Sequence, residues 1–251
     1  MKAYHAIQEL QATGIVTTGI SLRTDGVSHA PYASLNLAEH VGDDANAVAT
    51  NRKILFQQTG LRDPRYCRQV HGNRVIDVDN ATEAFLENPP EADALISTQR
   101  GVTLGIFTAD CVPIFILDVE TPAIGIAHAG WRGTFARIAV NTLAQMKDSF
   151  GTVPTNCRVH LGPSIQKCCY TVDAELLTQF AERFGSTVHD GTNLSLQTAN
   201  VNQLVEAGLP FDSISISPLC TACRTDLFYS HRAENGRTGR MLSFIQLNSE
   251  N

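Results

Sequence analysis

The chain has 251 residues, long enough to bury a sizeable core as one large domain or two small ones. Its 43% hydrophobic and 18% charged content marks a folded rather than a disordered protein. A net charge of −6 excludes the basic footprint of a nucleic-acid binder but leaves room for a local basic pocket that takes a small anion.

The opening MKAYHAIQELQATGIV lacks the long apolar core of a signal peptide, and no apolar run approaches the ~20 residues that span a bilayer, so cytoplasmic residence without membrane contact is expected. The odd count of seven cysteines then reads as buried thiols or ligands before disulfides. Residues 14–21 predict a strand running into a Gly/Ser/Pro-rich loop through Asn36. Asp43 or Asp44 caps a helix to about Thr59, with Gly60 ending it. Residues 65–79 predict a hairpin: Tyr66 to Val70, a turn near Gly72-Asn73, then Val75 to Val78. Asn88-Pro89-Pro90 marks a loop. Residues 94–97, 102–109, 112–118 and 123–128 supply further strands.

Phe135, Ile138, Ala139, Thr142, Leu143, Met146 and Phe150 fall on one face of a helix that Gly151 stops. Arg158 to Leu161 is a strand. Asp173 caps a helix burying Leu176, Leu177, Phe180 and Phe184, and Thr198 begins another that ends at Gly208. Strands at 213–217 and 240–246 complete the sheet. Because strands and helices alternate unevenly, the expected class is mixed α/β (α+β), layered sheets flanked by helices rather than a regular doubly wound sheet. No repeat or linker divides the chain, so residues 1–251 read as a single domain.

Three residues carry the chemistry. Cys111 ends one apolar run, His128 ends the next, and His71 sits at the expected hairpin turn. Glycines beside both histidines let backbone pass close to a ligand. Two imidazoles and one thiolate suit zinc or copper, and three protein ligands leave the fourth position open, as in a catalytic site. The same pair also suits nucleophilic attack by Cys111 with His128 as base. Asp110 is the first candidate for a proton carrier, or else fixes a metal ligand as an acceptor. Trp131-Arg132-Gly133-Thr134 opens the strongest helix, where free N–H groups and Arg132 make a candidate anion site. For the ligands implied by the family resemblance given next, Arg52 is a second candidate phosphate donor and Asn36 a candidate for a ribose hydroxyl or base edge. The loop Asn235 to Arg240 brings two arginines but lacks Walker-loop spacing. Cys168-Cys169 and Cys220-Thr221-Ala222-Cys223 could form a structural zinc site. Adjacent cysteines rarely share one ion, however, and a lone CxxC is weak, so these four read as small buried hydrophobes.

SLNLAEHVGDD, RQVHGNRV, DALISTQRGVTLGIFTADCVPIFILD, GIAHAGWRGT, LGPSIQKCCYTV and DLFYSHRAENGRTGRM occur in this order over nearly the whole chain. Together they resemble the successive motifs of the YfiH family, whose members have been called laccase-domain proteins, polyphenol oxidases and purine nucleoside phosphorylases. The resemblance implies metal ligands at His71, Cys111 and His128. It implies a layered fold similar to cysteine hydrolases of the bacterial deamidase-toxin type. It further implies zinc-dependent phosphorolysis of adenosine, inosine and S-methyl-5'-thioadenosine, with deamination of adenosine, the partners being a purine nucleoside and phosphate. Two segments depart from the family pattern. Gly162-Pro163-Ser164-Ile165-Gln166-Lys167-Cys168-Cys169 stands where a Gly-Pro-Cys-Ile-Gly-Pro-Cys-Cys run is common, and His231-Arg232-Ala233-Glu234 where Tyr-Arg-Arg-Asp is. Both bear on pocket shape more than on the metal. Two alternatives follow from the same residues and relatives: a metal-free Cys111–His128 hydrolase of an amide such as a peptidoglycan precursor, and a copper-dependent polyphenol oxidase.

Overall fold

The computed structural model describes residues 2–249 apart from 63, 82–84, 86 and 87. Its strands are β1 (Tyr4–Ala6), β2 (Val16–Ser21), β3 (Val75–Asp77), β4 (Ala94–Ser97), β5 (Thr103–Thr108), β6 (Val112–Asp118), β7 (Ala123–Ala129), β8 (Cys157–Leu161), β9 (His189–Asp190), β10 (Asn193–Leu194), β11 (Ile214–Ile216) and β12 (Met241–Leu247). The helices are α1 (Gln8–Gln11), α2 (Ala45–Thr59), α3 (Trp131–Phe135), α4 (Ile138–Phe150), α5 (Ala174–Phe184) and α6 (Leu196–Glu206). Among the described residues no helix is long and apolar enough to cross a membrane.

The strands form not one sheet but two main ones, a four-stranded sheet ordered β1-β2-β12-β5 and a six-stranded sheet ordered β11-β8-β6-β7-β4-β3, beside a small β9-β10 pair. The apolar runs explain the layering. Successive residues of a strand point to opposite faces. Val112, Ile114 and Ile116 of β6 therefore pack with Ala127 and Ala129 of β7 against α4, α5 and α6. Phe115 and Leu117, with Ile124 and Ile126, face the other way and meet Leu104, Ile106, Ile245 and Leu247 of the four-stranded sheet. The far face of that sheet, Phe107, Leu242 and Phe244, is covered by Leu55 of α2. The mixed α/β architecture is thus helix, sheet, sheet, helices. Strands buried on both faces read as nearly continuous apolar runs, polar only near their ends at Asp118 and His128.

Asp44 caps α2 through its side chain and Gly60 ends it left-handed. Asp173 likewise caps α5, in which Leu177, Phe180 and Phe184 are buried and Leu176 is only partly so. Ser195, not Thr198, caps α6. The helix expected around Phe135 is interrupted: Arg137 adopts φ 63°, separating the single turn α3 from α4. The expected hairpin at 65–79 does not form. β3 pairs in parallel with β4, while residues 65–68 make only isolated bridges to Leu104 and Glu91.

Candidate functional site

Pairing of β4, β6 and β7 assembles the site. In the β6–β7 hairpin Val112 lies opposite Ala129 and Pro113 opposite His128, so Cys111, just before β6, is diagonal to His128 across the ladder. Ala94 of β4 lies opposite Ala127, which sets Asp93 beside His128, and the His128 N–H donates to the Asp93 carbonyl at 2.7 Å. The Asp93 side chain then gathers the third ligand. It is fully buried. Oδ1 accepts from the His71 N–H at 2.9 Å and Oδ2 from the Val70 and Gly72 N–H groups at 3.2 and 2.7 Å. His128 Nδ1 lies 2.8 Å from Oδ1, which leaves Nε2 as the nitrogen free for a ligand. One carboxylate thus holds the His71 turn and the His128 ring together.

The ligand atoms of His71, Cys111 and His128 all lie within 4.8 Å of one another. Cys111 Sγ and His71 Nε2 are 4.0 Å apart, and the two imidazole rings meet edge to face at 4.7 Å. Gly130 backs the group: a Cβ there would come within 2.9 Å of Cys111 Sγ and 3.0 Å of His71 Cδ2. Two of the described non-glycine residues with positive φ, His71 (59°) and Asp110 (89°), lie on this wall, where strained backbone is held by the surrounding contacts. The charges are mutually supporting. Burial opposes the Cys111 thiolate, but the facing His128 and His71 rings prevail and draw it down to about 6. Burial also opposes the His128 cation, but Cys111 and Asp93 push that ring up to about 9. The Asp93 carboxyl, disfavoured as an anion by burial, is held below the usual range by His128 and the turn N–H groups. Donor chemistry, spacing and the Asp93 buttress all fit a borderline-soft ion such as zinc or copper.

These residues line a cavity of about 800 Å³, which also receives Asp110, Arg52, Arg132, Arg232, Arg240 and Tyr170. The cavity is cationic in an acidic protein. Among the described residues Arg132, Arg232 and Arg240 have no carboxylate partner. Arg132 stacks over Trp131 at 4.3 Å, Arg232 lies 5.1 Å from the Tyr170 ring, and Arg240 donates to the Thr238 and Gly239 carbonyls. Arg52 reaches the cavity but is paired with Glu39 at 3.0 Å and bonded to the Leu37 carbonyl. Asp110 Oδ1 accepts from the Thr221 hydroxyl at 2.6 Å and Oδ2 from the Arg232 N–H at 2.7 Å.

Several expectations need correction. Asn36 is fully buried and absent from the cavity lining. Its amide donates to Ala38 and Asp43 and accepts from the Ala38 and Arg240 N–H groups, so every hydrogen-bonding position is used in holding the loop. The anion site expected from a long helix start has only the single turn of α3 behind it. Helix dipoles sum along the axis, so a single turn adds little positive potential, and the charge at this point of the cavity is that of the Arg132 guanidinium. The acceptor that fixes a ligand is Asp93, not Asp110. Asp93 is the main residue that sequence reasoning misses; its signal is a carboxylate set inside the otherwise apolar stretch Ala92 to Ile96. Of the four cysteines expected as buried hydrophobes, only Cys220 is buried.

Residues 17–248 match the family described as multi-copper polyphenol oxidoreductase laccase. The chain belongs to this family. Within this YfiH-type family the chain is 36% identical over 242 residues to purine nucleoside phosphorylase YlmD of Geobacillus stearothermophilus, covering 90% of the chain and 88% of the relative. It is 33% identical over 229 residues to adenosine deaminase RL5 of an unknown prokaryotic organism, covering 85% and 87%. The crystal structure of Bacillus licheniformis hypothetical protein YfiH superposes with a TM-score of 0.91 at 31% identity over 99% of this chain and 97% of that one. The family description names several coppers. Among the described residues, however, the one ligand set containing histidine has two of them and suits a single ion.

Proposed function

We propose that the chain is a zinc-dependent purine nucleoside phosphorylase that splits adenosine, inosine and S-methyl-5'-thioadenosine and also deaminates adenosine. The observation that carries this reading is the meeting, in one cavity, of a three-ligand set with arginines that have no carboxylate partner among the described residues. The names of the relatives supply the substrate class.

His71, Cys111 and His128 hold the ion, with Asp93 fixing the His128 ring. When bound there, zinc supplies Lewis acidity that makes water a competent nucleophile near neutral pH. Arg132 binds phosphate, and Arg52, stationed by Glu39, adds positive potential. Tyr66, Phe107, Trp131 and Tyr170 offer flat apolar surface for a purine. In phosphorolysis a phosphate oxygen bonds to the anomeric carbon as the glycosidic bond breaks and the purine leaves as its anion or protonated form. Asp110, with one hydrogen bond on each oxygen and lone pairs to spare, carries the proton, and serves the same way at C6 in deamination. The test is adenosine turnover by zinc-replete protein with and without phosphate. Adenine and ribose 1-phosphate formed only with phosphate, and inosine formed either way, are expected; absence of purine turnover under both conditions refutes the reading.

One specific geometry favours a second reading. Cys111, His128 and Asp93 also form a thiolate–imidazolium–carboxylate series, as a metal-free hydrolase of an amide would use. Zinc occupancy separates the two, because a ligating thiolate is a poor nucleophile.

A further inference from the structure

A second group of potential ligands lies outside the histidine set. Cys168 and Cys169 occupy the turn after β8, Cys220 and Cys223 the turn after β11, and their four Sγ atoms lie within 4.8 Å of one another. The Cys169–Cys223, Cys168–Cys223 and Cys168–Cys169 separations are 3.3, 3.6 and 3.7 Å. A tetrahedron of sulfurs with Zn–S bonds of ~2.3 Å has edges of about 3.8 Å. The sulfurs are thus nearly placed for such a centre, and they converge as four rather than as two separate pairs.

Adjacent cysteines point apart in a strand, but here they sit in a turn. The N–H groups of Cys169 and Tyr170 both donate to the Gln166 carbonyl at 3.0 Å, and this fold turns both thiols toward Cys223. The facing CxxC loop is closed by the Arg224 N–H on the Cys220 carbonyl at 3.0 Å. The Gln166 N–H donates to Cys220 Sγ at 3.4 Å, the kind of backbone contact that supports a thiolate ligand. Burial does not account for the group, since Cys168 and Cys223 are exposed and gain little as hydrophobes.

We infer that Cys168, Cys169, Cys220 and Cys223 form a second, closed zinc site that staples the 164–171 segment to the 217–224 segment. With all four positions taken by protein sulfur, the site has no place for water or substrate, so it is structural. What it braces is the cavity wall. Tyr170 follows Cys169 directly and lines the cavity, while Thr221 follows Cys220 and hydrogen-bonds Asp110. The staple therefore fixes two groups beside the proposed chemistry without taking part in it.

The test is zinc content of untagged protein, by mass spectrometry, in three forms. Wild type is expected to hold about two zinc ions per chain, His71→Ala/His128→Ala about one, and Cys220→Ser/Cys223→Ser about one. Should the cysteine variant fail to fold, the histidine variant alone decides. Its remaining zinc shows four sulfurs at ~2.3 Å by X-ray absorption, and cobalt in its place gives the intense sulfur-to-metal charge-transfer bands of a tetrathiolate. About one zinc in wild type and none in the histidine variant would overturn the inference. So would disulfides mapped among these four cysteines in freshly isolated protein.

Discussion

Asp93→Asn isolates the residue on which the ligand geometry depends. The carboxylate accepts from three backbone N–H groups and His128. An amide has one acceptor oxygen. Placed as Oδ1, it keeps His71 and His128 but turns an NH₂ toward the Val70 and Gly72 donors; flipped, it orphans the other two. Each lost acceptor costs about 1–3 kcal/mol, and the turn is partly solvated, so the expected loss is about 2–4 kcal/mol. A domain of ordinary stability, about 5–15 kcal/mol, survives that. Zinc affinity is expected to fall about 10–100-fold, the usual effect of removing the partner that orients a ligating histidine. Urea unfolding of chelator-stripped protein measures the first quantity, and competition with a chromophoric chelator the second. Affinity within about twofold of wild type, with stability lowered, would mean that Asp93 only pins the turn and does not orient the ligand set.

The Cys111–His128 pair gives a pH signature. The thiol, lowered to about 6, favours the fold at high pH and loses that contribution as pH falls through about 6. The ring, raised to about 9, favours it at low pH and loses that contribution as pH rises through about 9, so the pair is strongest between. Within that window the pair holds one proton, and zinc binding should expel about one, read by calorimetry in buffers of different ionisation enthalpy; no release would contradict the assignment. Gly130→Ala should abolish binding at the histidine set. The backbone there, φ −72° and ψ 179°, suits any residue, so the effect comes from the Cβ striking Cys111 and His71, and metal analysis of the folded variant checks it. Arg132→Ala should weaken phosphate use about 10–100-fold, the loss of a charge-assisted bond of ~1.5–3 kcal/mol, while sparing deamination; equal losses in both activities would sink the role. Phe180→Ala, which empties a fully buried position between Phe135 and Phe184, should cost about 3–5 kcal/mol by urea unfolding but leave the zinc count unchanged.

The parts of this fold that show in the sequence are those governed by local pattern. β6 and β7 are legible because strands buried on both faces are nearly continuously apolar, and α2 and α5 because aspartate caps them. The misread parts depend on distant partners. Tyr66 to Val70 has strand-like composition, but Asp93 draws the following turn toward β4 and no hairpin closes. The break at Arg137 has no glycine or proline to announce it, and Phe135 and Ile138 stay on the core side across it, so the helical spacing persists through the interruption. Cys111 and His128 stand out because they bound apolar runs with proline or glycine two residues on, and His71 because it stands at a glycine turn. Arg240 shows as a loop arginine, but its place in the cavity does not. The convergence of Cys168 and Cys169 was obscured because sequence adjacency argues against a shared ion until the turn is known.

The proposed activity depends on whether the histidine–cysteine set works as a zinc centre or as a thiol nucleophile. Chelator-stripped wild-type protein should be titrated with zinc while adenine release from adenosine and phosphate is followed. Activity rising from near zero and levelling by about two zinc per chain, once both ligand sets are filled, is the predicted result. Full turnover before any zinc is added, abolished by alkylating Cys111, would contradict it.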